Sequence, residues 1–232
     1  MIGSQDVCSG FFVTQRFVTQ ASQSSWDRRA KLDVFLATPS AQSACGMEDF
    51  MKVVDMHCDT IAALYENKEK GWTLQDNRLH IRLDKMKQGD YLLQNFALFV
   101  CTENCEDPYQ QALTLADCFD RQMALFPEQI GQVRCYNDIL ENQKNGRISA
   151  LLTIEEGAVC QGSLEKLREF YDRGVRMLTL TWNFPNEIGF PNFAISGDGK
   201  PDRTVPNTKD GLTEFGFLFL EEMERLGMIV DV

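Results

Sequence analysis

His57 and Asp59 are the residues of this chain best placed to do chemistry. They stand in the run Met56-His57-Cys58-Asp59, directly after the apolar pair Val53-Val54. If that run continues a strand, side chains alternate between faces and His57 and Asp59 share one. An imidazole and a carboxylate side by side are two ligands that zinc accepts. Asp55 has the same parity, and three polar groups on one face of a sheet are costly to bury without a cation. A second acidic position closes another apolar run, Ile154-Glu155-Glu156-Gly157. Neighbours on a strand point to opposite faces, so at most one of Glu155 and Glu156 can join the first pair. His80, the other of the two histidines, lies in a loop-like stretch and reads as structural. Cys58 on a strand points away from His57, which disfavours a thiol nucleophile. No G-x-S-x-G turn supports serine chemistry.

The elements that must carry these residues follow from periodicity. Val53–Asp59 reads as a strand, and Leu83–Gln88 as a helical turn. Asn95–Val100 is a second strand, residues 108–126 a helix with Leu113, Ala116, Phe119 and Met123 near one stripe, and residues 137–145 another helix closed by Gly146. Ile148–Ile154 is almost wholly apolar, as a strand covered on both faces should be. Ser163 caps a helix ending at Gly174, Val175–Trp182 is a strand, Thr213 caps a helix reaching Leu226, and residues 228–232 begin a further strand. Strands alternating with helices imply a parallel α/β architecture; periodicity alone leaves barrel and open sheet both open. No Gly-rich loop follows the first strand, which counts against a nucleotide-binding open sheet. The candidate ligands sit where apolar strands stop, the usual place for active sites in either architecture. Residues 183–211, rich in Pro and Gly, show no regular pattern and leave a strand end, so they should overhang the site. Thr181-Trp182-Asn183 could shape a pocket there.

The 232 residues carry a formal charge of -11, which disfavours nucleic acid and anionic membrane as partners. No apolar stretch approaches the roughly 18 residues of a membrane span. Residues 1–50, rich in Ser, Gln and Thr, read as a poorly ordered extension ahead of a domain over 51–232, with Met47 or Met51 as alternative starts. The N-terminus lacks a basic segment followed by an apolar core, so a cytoplasmic protein is expected. Eight cysteines are scattered without a paired C-x-x-C framework. Cys101 and Cys105 are close enough to clip together, but with no secretion signal they are expected to be reduced.

Several strings together resemble a known family. They are Val54-Asp55-Met56-His57-Cys58-Asp59-Thr60, Asn95-Phe96-Ala97-Leu98-Phe99-Val100, Ile154-Glu155-Glu156-Gly157-Ala158, Met177-Leu178-Thr179-Leu180-Thr181-Trp182-Asn183, Gly211-Leu212-Thr213-Glu214-Phe215-Gly216 and Leu226-Gly227-Met228-Ile229-Val230-Asp231-Val232. In this order they resemble the renal or membrane dipeptidases (peptidase M19) from about Val53 to Val232. The loop Asn186-Glu187-Ile188-Gly189 is similar to bacterial members. The resemblance implies an α/β fold, a partial (β/α)8 TIM-type barrel with about five β/α units, and a metal-bridging hydroxide that hydrolyses dipeptides, some with a C-terminal D-residue. It implies two zinc ions: His57 and Asp59 hold one, and a glutamate bridges both. Alignment on the following glycine selects Glu156 as that bridging, catalytic residue. Trp182 and Asn183 fall at substrate-binding positions. The family's two later histidines, its substrate-binding arginine and a late aspartate have no counterpart before Val232. The chain is therefore expected to be an N-terminal fragment with an incomplete second metal site, inactive and aggregation-prone alone. A dipeptide is the expected partner, with a homodimer open to the complete protein. Another binuclear metal-dependent amidohydrolase, or a non-catalytic metal- or peptide-binding remnant, are the competing readings.

Overall fold

A computed structural model describes residues 51–232; the extension expected over 1–50 lies outside the described residues. The elements are β1 (Val53–Asp55), α1 (Thr60–Glu66), α2 (Leu83–Gln88), β2 (Tyr91–Phe99), α3 (Pro108–Leu125), β3 (Ile130–Gln132), α4 (Tyr136–Lys144), β4 (Ile148–Glu155), α5 (Leu164–Arg173), β5 (Val175–Thr179), β6 (Phe193–Ile195), β7 (Pro201–Pro206), α6 (Glu214–Leu226) and β8 (Ile229–Asp231). The main sheet runs β1-β2-β4-β5-β8, every pair parallel. Neighbours follow chain order with helices between them and no reversal. A doubly wound open sheet has such a reversal at its switch point. The order is that of a barrel wall, and the chain is a partial TIM-type barrel of five principal strands.

β3 is an addition that periodicity did not reveal. Three residues long, it pairs with the first residues of β4, Ile130 opposite Ile148, before β5 takes over that edge at Leu152. The region 183–211 also holds structure, the antiparallel hairpin β6–β7. Its strands are half-buried or exposed, so no apolar alternation marked them.

Helix ends follow local chemistry. Asp107 accepts from the Gln110 amide ahead of Pro108, Ser163 from Lys166, and Thr213 from Gly216. Gly174 (φ +104°) and Gly227 (φ +73°) close α5 and α6 in the left-handed region. The buried stripe of α3 is Ala112, Leu115, Ala116 and Phe119, with Leu113 and Met123 at its margin.

Two faces of the sheet differ. Phe96 and Leu98 of β2, with Ala150, Leu152 and Ile154 of β4, join the large apolar core under the helices. Alternate residues face the concave side: Asn95, whose amide reaches Met177 Sδ at 3.8 Å, Ser149, Thr153 and Glu155. β1 and β8 are the edges, and Val54, Met56, Ile229 and Val230 are exposed there. Such edges invite association. Among the described residues no helix is long and apolar enough to cross a membrane.

Leu152 is fully buried and Val54 about half exposed, at 0% and 49%. Leu152→Ala should cost about 2–5 kcal/mol of unfolding free energy, and Val54→Thr less than about 0.5 kcal/mol. Urea unfolding monitored by circular dichroism checks both.

Candidate metal centre

β1 stops at Asp55, four residues short of the expected strand end. The Asp55 side chain accepts the His57 amide at 3.2 Å, a local turn that competes with the ladder. One bond resumes the pairing beyond it, Ala97 N–H to Cys58 carbonyl at 2.9 Å. His57 and Asp59 therefore converge through a turn at the strand end, not through strand alternation. Asp55 itself stays out of the cluster and spends its carboxylate on the turn.

His57 Nε2 lies 3.2 Å from Asp59 Oδ1 and 3.0 Å from Glu155 Oε2. One ligand atom from each of the three residues lies within 4.8 Å of the others. Glu155 is buried, His57 half-buried and Asp59 open to solvent, so the cluster is covered from the sheet side and reachable from the other. Glu155 ends β4 opposite Phe99, the last residue of β2, which places it at the C-terminal rim of the barrel wall.

A single nitrogen facing two carboxylate oxygens must carry a proton. The Asp59 and Glu155 hydrogen bonds, outweighing burial, push the His57 imidazole up from 6.5 to about 10. Burial raises the Glu155 carboxyl above the usual range, against the lowering pull of His57. One imidazole and two carboxylates aimed at one point form a donor set that fits a divalent cation, with the metal replacing the shared proton.

Glu156 does not join the cluster. The expectation that it and not Glu155 would meet His57 and Asp59 is corrected by the geometry. Glu155 keeps the concave-face parity of Ser149 and Thr153, whereas Glu156 has already left the strand. Its backbone sits at φ +85°, ψ +94°, where a non-glycine residue costs on the order of 1–3 kcal/mol. Its carboxylate accepts from the Ala158 amide at 3.0 Å, the Asn186 side-chain amide at 2.7 Å and the Trp182 amide at 3.3 Å. Burial raises its pKa against those three bonds. Strand alternation read through Ser149 and Thr153 was the signal that would have selected Glu155.

β5 also stops early, at Thr179. The Leu180 carbonyl is taken by Asn186 and the Trp182 amide by Glu156, so side chains capture groups a longer strand would need. Trp182 and Asn183 are half-buried. The Trp182 ring packs on Phe99 with centroids 4.9 Å apart. Both residues line a cleft of about 260 Å³ with Phe184, Lys200 and Arg203. His80 is exposed and outside the cluster. Burial raises the Cys58 thiol to about 12, which removes it as a nucleophile. Cys101 and Cys105 are unbonded.

The family model of the membrane dipeptidases (peptidase family M19) matches residues 42–232. Dipeptidase 3 of Rattus norvegicus is 31% identical over 201 residues, 82% of this chain and 38% of its own. This chain thus spans 38% of the length of the curated relatives it matches. In fold it is similar to dipeptidase AC, a metallo peptidase, with a TM-score of 0.67 and 24% identity over 79% of this chain and 56% of that one. It is similarly close to a metallo peptidase from Rhodobacter sphaeroides solved with a phosphinate mimic of the dipeptide L-Ala-D-Ala, with a TM-score of 0.66 and 23% identity over 79% and 58%. A three-residue donor cluster at the rim of a partial barrel and a family match over most of the chain lead to one assignment: this chain belongs to the membrane dipeptidase family, peptidase M19.

Proposed function

We propose that residues 51–232 form the N-terminal part of the barrel of a zinc-dependent dipeptidase, and that His57, Asp59 and Glu155 hold metal in it. The observation that carries this reading is the approach of Glu155 Oε2 to His57 Nε2, 3.0 Å across three strands of the sheet. Glu155 takes the role first assigned to Glu156. Bound zinc would polarise a peptide carbonyl and lower the pKa of water at neutral pH. The chain's own residues orient that chemistry. Asp55 holds the His57 backbone, burial keeps Glu155 in a low-dielectric wall, and exposed Asp59 leaves the approach open.

Trp182, whose ring packs on Phe99 opposite Glu155, and Asn183 line a cleft and are assigned to substrate contact. A dipeptide is the substrate class, by family membership and by the dipeptide mimic bound to the fold neighbour. The part of the relatives' length that this chain does not span would supply the remaining ligands. Activity therefore belongs to the complete protein, and this chain alone should turn over little dipeptide even with added zinc.

In zinc titrations, His57→Ala and Glu155→Gln should weaken binding at least about 100-fold, with metal content read by atomic absorption after dialysis. Chelation of the complete protein should abolish hydrolysis of a dipeptide panel that includes L-Ala-D-Ala, and zinc should restore it. Zinc content unchanged by Glu155→Gln would refute the assignment.

The sign of the pH dependence follows from His57. At neutral pH the metal-free imidazole is protonated, so zinc must expel that proton, and affinity should rise about tenfold per pH unit below 10. Proton release on adding zinc to a weakly buffered solution measures this. In the metal-free chain the raised pKa is a stabilising contribution, fully present below 6.5 and lost as pH climbs through about 10. The stability gap between wild type and His57→Gln should close over that interval.

A further inference from the structure

Glu156 is a buried acid with three hydrogen-bond donors that the proposed metal chemistry leaves unused. Only 1% of it is exposed. Its three donors come from its own turn and from residues 26 and 30 positions later. Carboxylate oxygens offer about four acceptor sites and no donor. A glutamine here would turn an N–H toward at least one of those three donors.

The contacts continue outward from Asn186. Its Nδ2 also reaches the Leu180 carbonyl at 2.9 Å, and its Oδ1 accepts from Ile188 at 2.8 Å and Gly189 at 3.1 Å. Ile188, itself buried, accepts at its carbonyl from Thr213 N at 2.9 Å, the residue that caps α6. The packing is as close as the bonding. A Cβ on Gly157 would meet Ile188 Cδ1 at 2.5 Å and the Leu180 carbonyl at 2.6 Å, and one on Gly216 would collide with the Ile188 carbonyl. The left-handed backbone at Glu156 is thus over-determined by its surroundings, as strained positions near functional sites tend to be.

We propose that Glu156 is a positioning residue: its carboxylate ties the end of β4 to the segment that leaves β5, and so sets Trp182 against Phe99 and, with Asn183, on the wall of the cleft they line with Phe184, Lys200 and Arg203. The proposal deepens the dipeptidase reading and rests on it for the meaning of that cleft. Two consecutive glutamates then divide two tasks. Glu155 stays on the concave face with His57 and Asp59, and Glu156 turns away to hold the substrate-facing wall. Fixing Trp182 through its backbone amide leaves the indole free to pack on Phe99, whose register partner across the sheet is Glu155. A shift of that wall alters how a dipeptide is held without altering how the metal is held.

The test uses Glu156→Ala and, separately, Asn186→Ala in the complete protein. Both should raise KM for a dipeptide about tenfold while kcat stays within about threefold, the split expected when binding alone is lost. Zinc content should match wild type. Hydrogen exchange at the Trp182 amide should speed up about tenfold or more as its charged acceptor or that acceptor's partner is removed. Should Glu156→Ala fail to fold, Asn186→Ala reads the same tie from its other end. Loss of zinc in Glu156→Ala with Trp182 still protected would overturn the proposal and make Glu156 a ligand. Unchanged exchange and unchanged KM in both variants would also overturn it. If wild type cleaves no dipeptide, the dipeptidase reading fails by itself, and exchange and zinc content still decide the role of Glu156.

Discussion

The meeting of His57 Nε2 with the carboxylates of Asp59 and Glu155 is the interaction on which the site depends. Almost a hundred residues separate its two halves in the chain. They are joined because β1, β2 and β4 lie parallel and in register, so the segment after β1 and the last residue of β4 finish on the same rim. Parallel strands require helical crossovers, and the large apolar core under α1, α3 and α5 is what holds those strands together. Without a metal, three polar groups at a half-buried rim are stabilised by a shared proton. With one, the same three donors face a cation. The cluster is costly to leave unpaired and inexpensive to fill, which is the electrostatic condition of a metal site.

Around that cluster the strands end early, and each early ending has a side-chain cause. Asp55 captures the His57 amide, so β1 is three residues long. Glu156 and Asn186 capture groups near Leu180 and Trp182, so β5 stops at Thr179. Ladder hydrogen bonds are exchanged for side-chain hydrogen bonds where the chain must turn over the rim. The adjacent acids Glu155 and Glu156 show the consequence. One remains in the sheet and keeps its face. The other leaves through a left-handed backbone and serves the loop.

Much of the fold was legible from local chemistry. The caps Ser163 and Thr213 and the stops Gly174 and Gly227 act within one helical turn, and the structure places them as the sequence implied. The apolar run of β4 was readable because both of its faces are covered. β3 and the β6–β7 hairpin were not, since three-residue or solvent-facing strands leave no periodic signal. At the site, His57 and Asp59 were legible because two ligand types lay two residues apart. The neighbouring glycine pointed to Glu156, whereas the acid that lies beside His57 and Asp59 is Glu155. The parity of Ser149 and Thr153 along β4 carried the answer.

The sequence by itself determined the parallel α/β class, the helix ends marked by caps and glycines, and the pair His57 and Asp59 as candidate ligands. Those properties follow from side-chain periodicity and from capping groups that act over a few residues. Only the tertiary structure decided which acid meets His57, why Glu156 turns away, and what wall faces the cleft. Those outcomes depend on strand register and on bonds between residues 26 to 98 positions apart, and such distances are set by packing of the whole sheet, which no local pattern encodes.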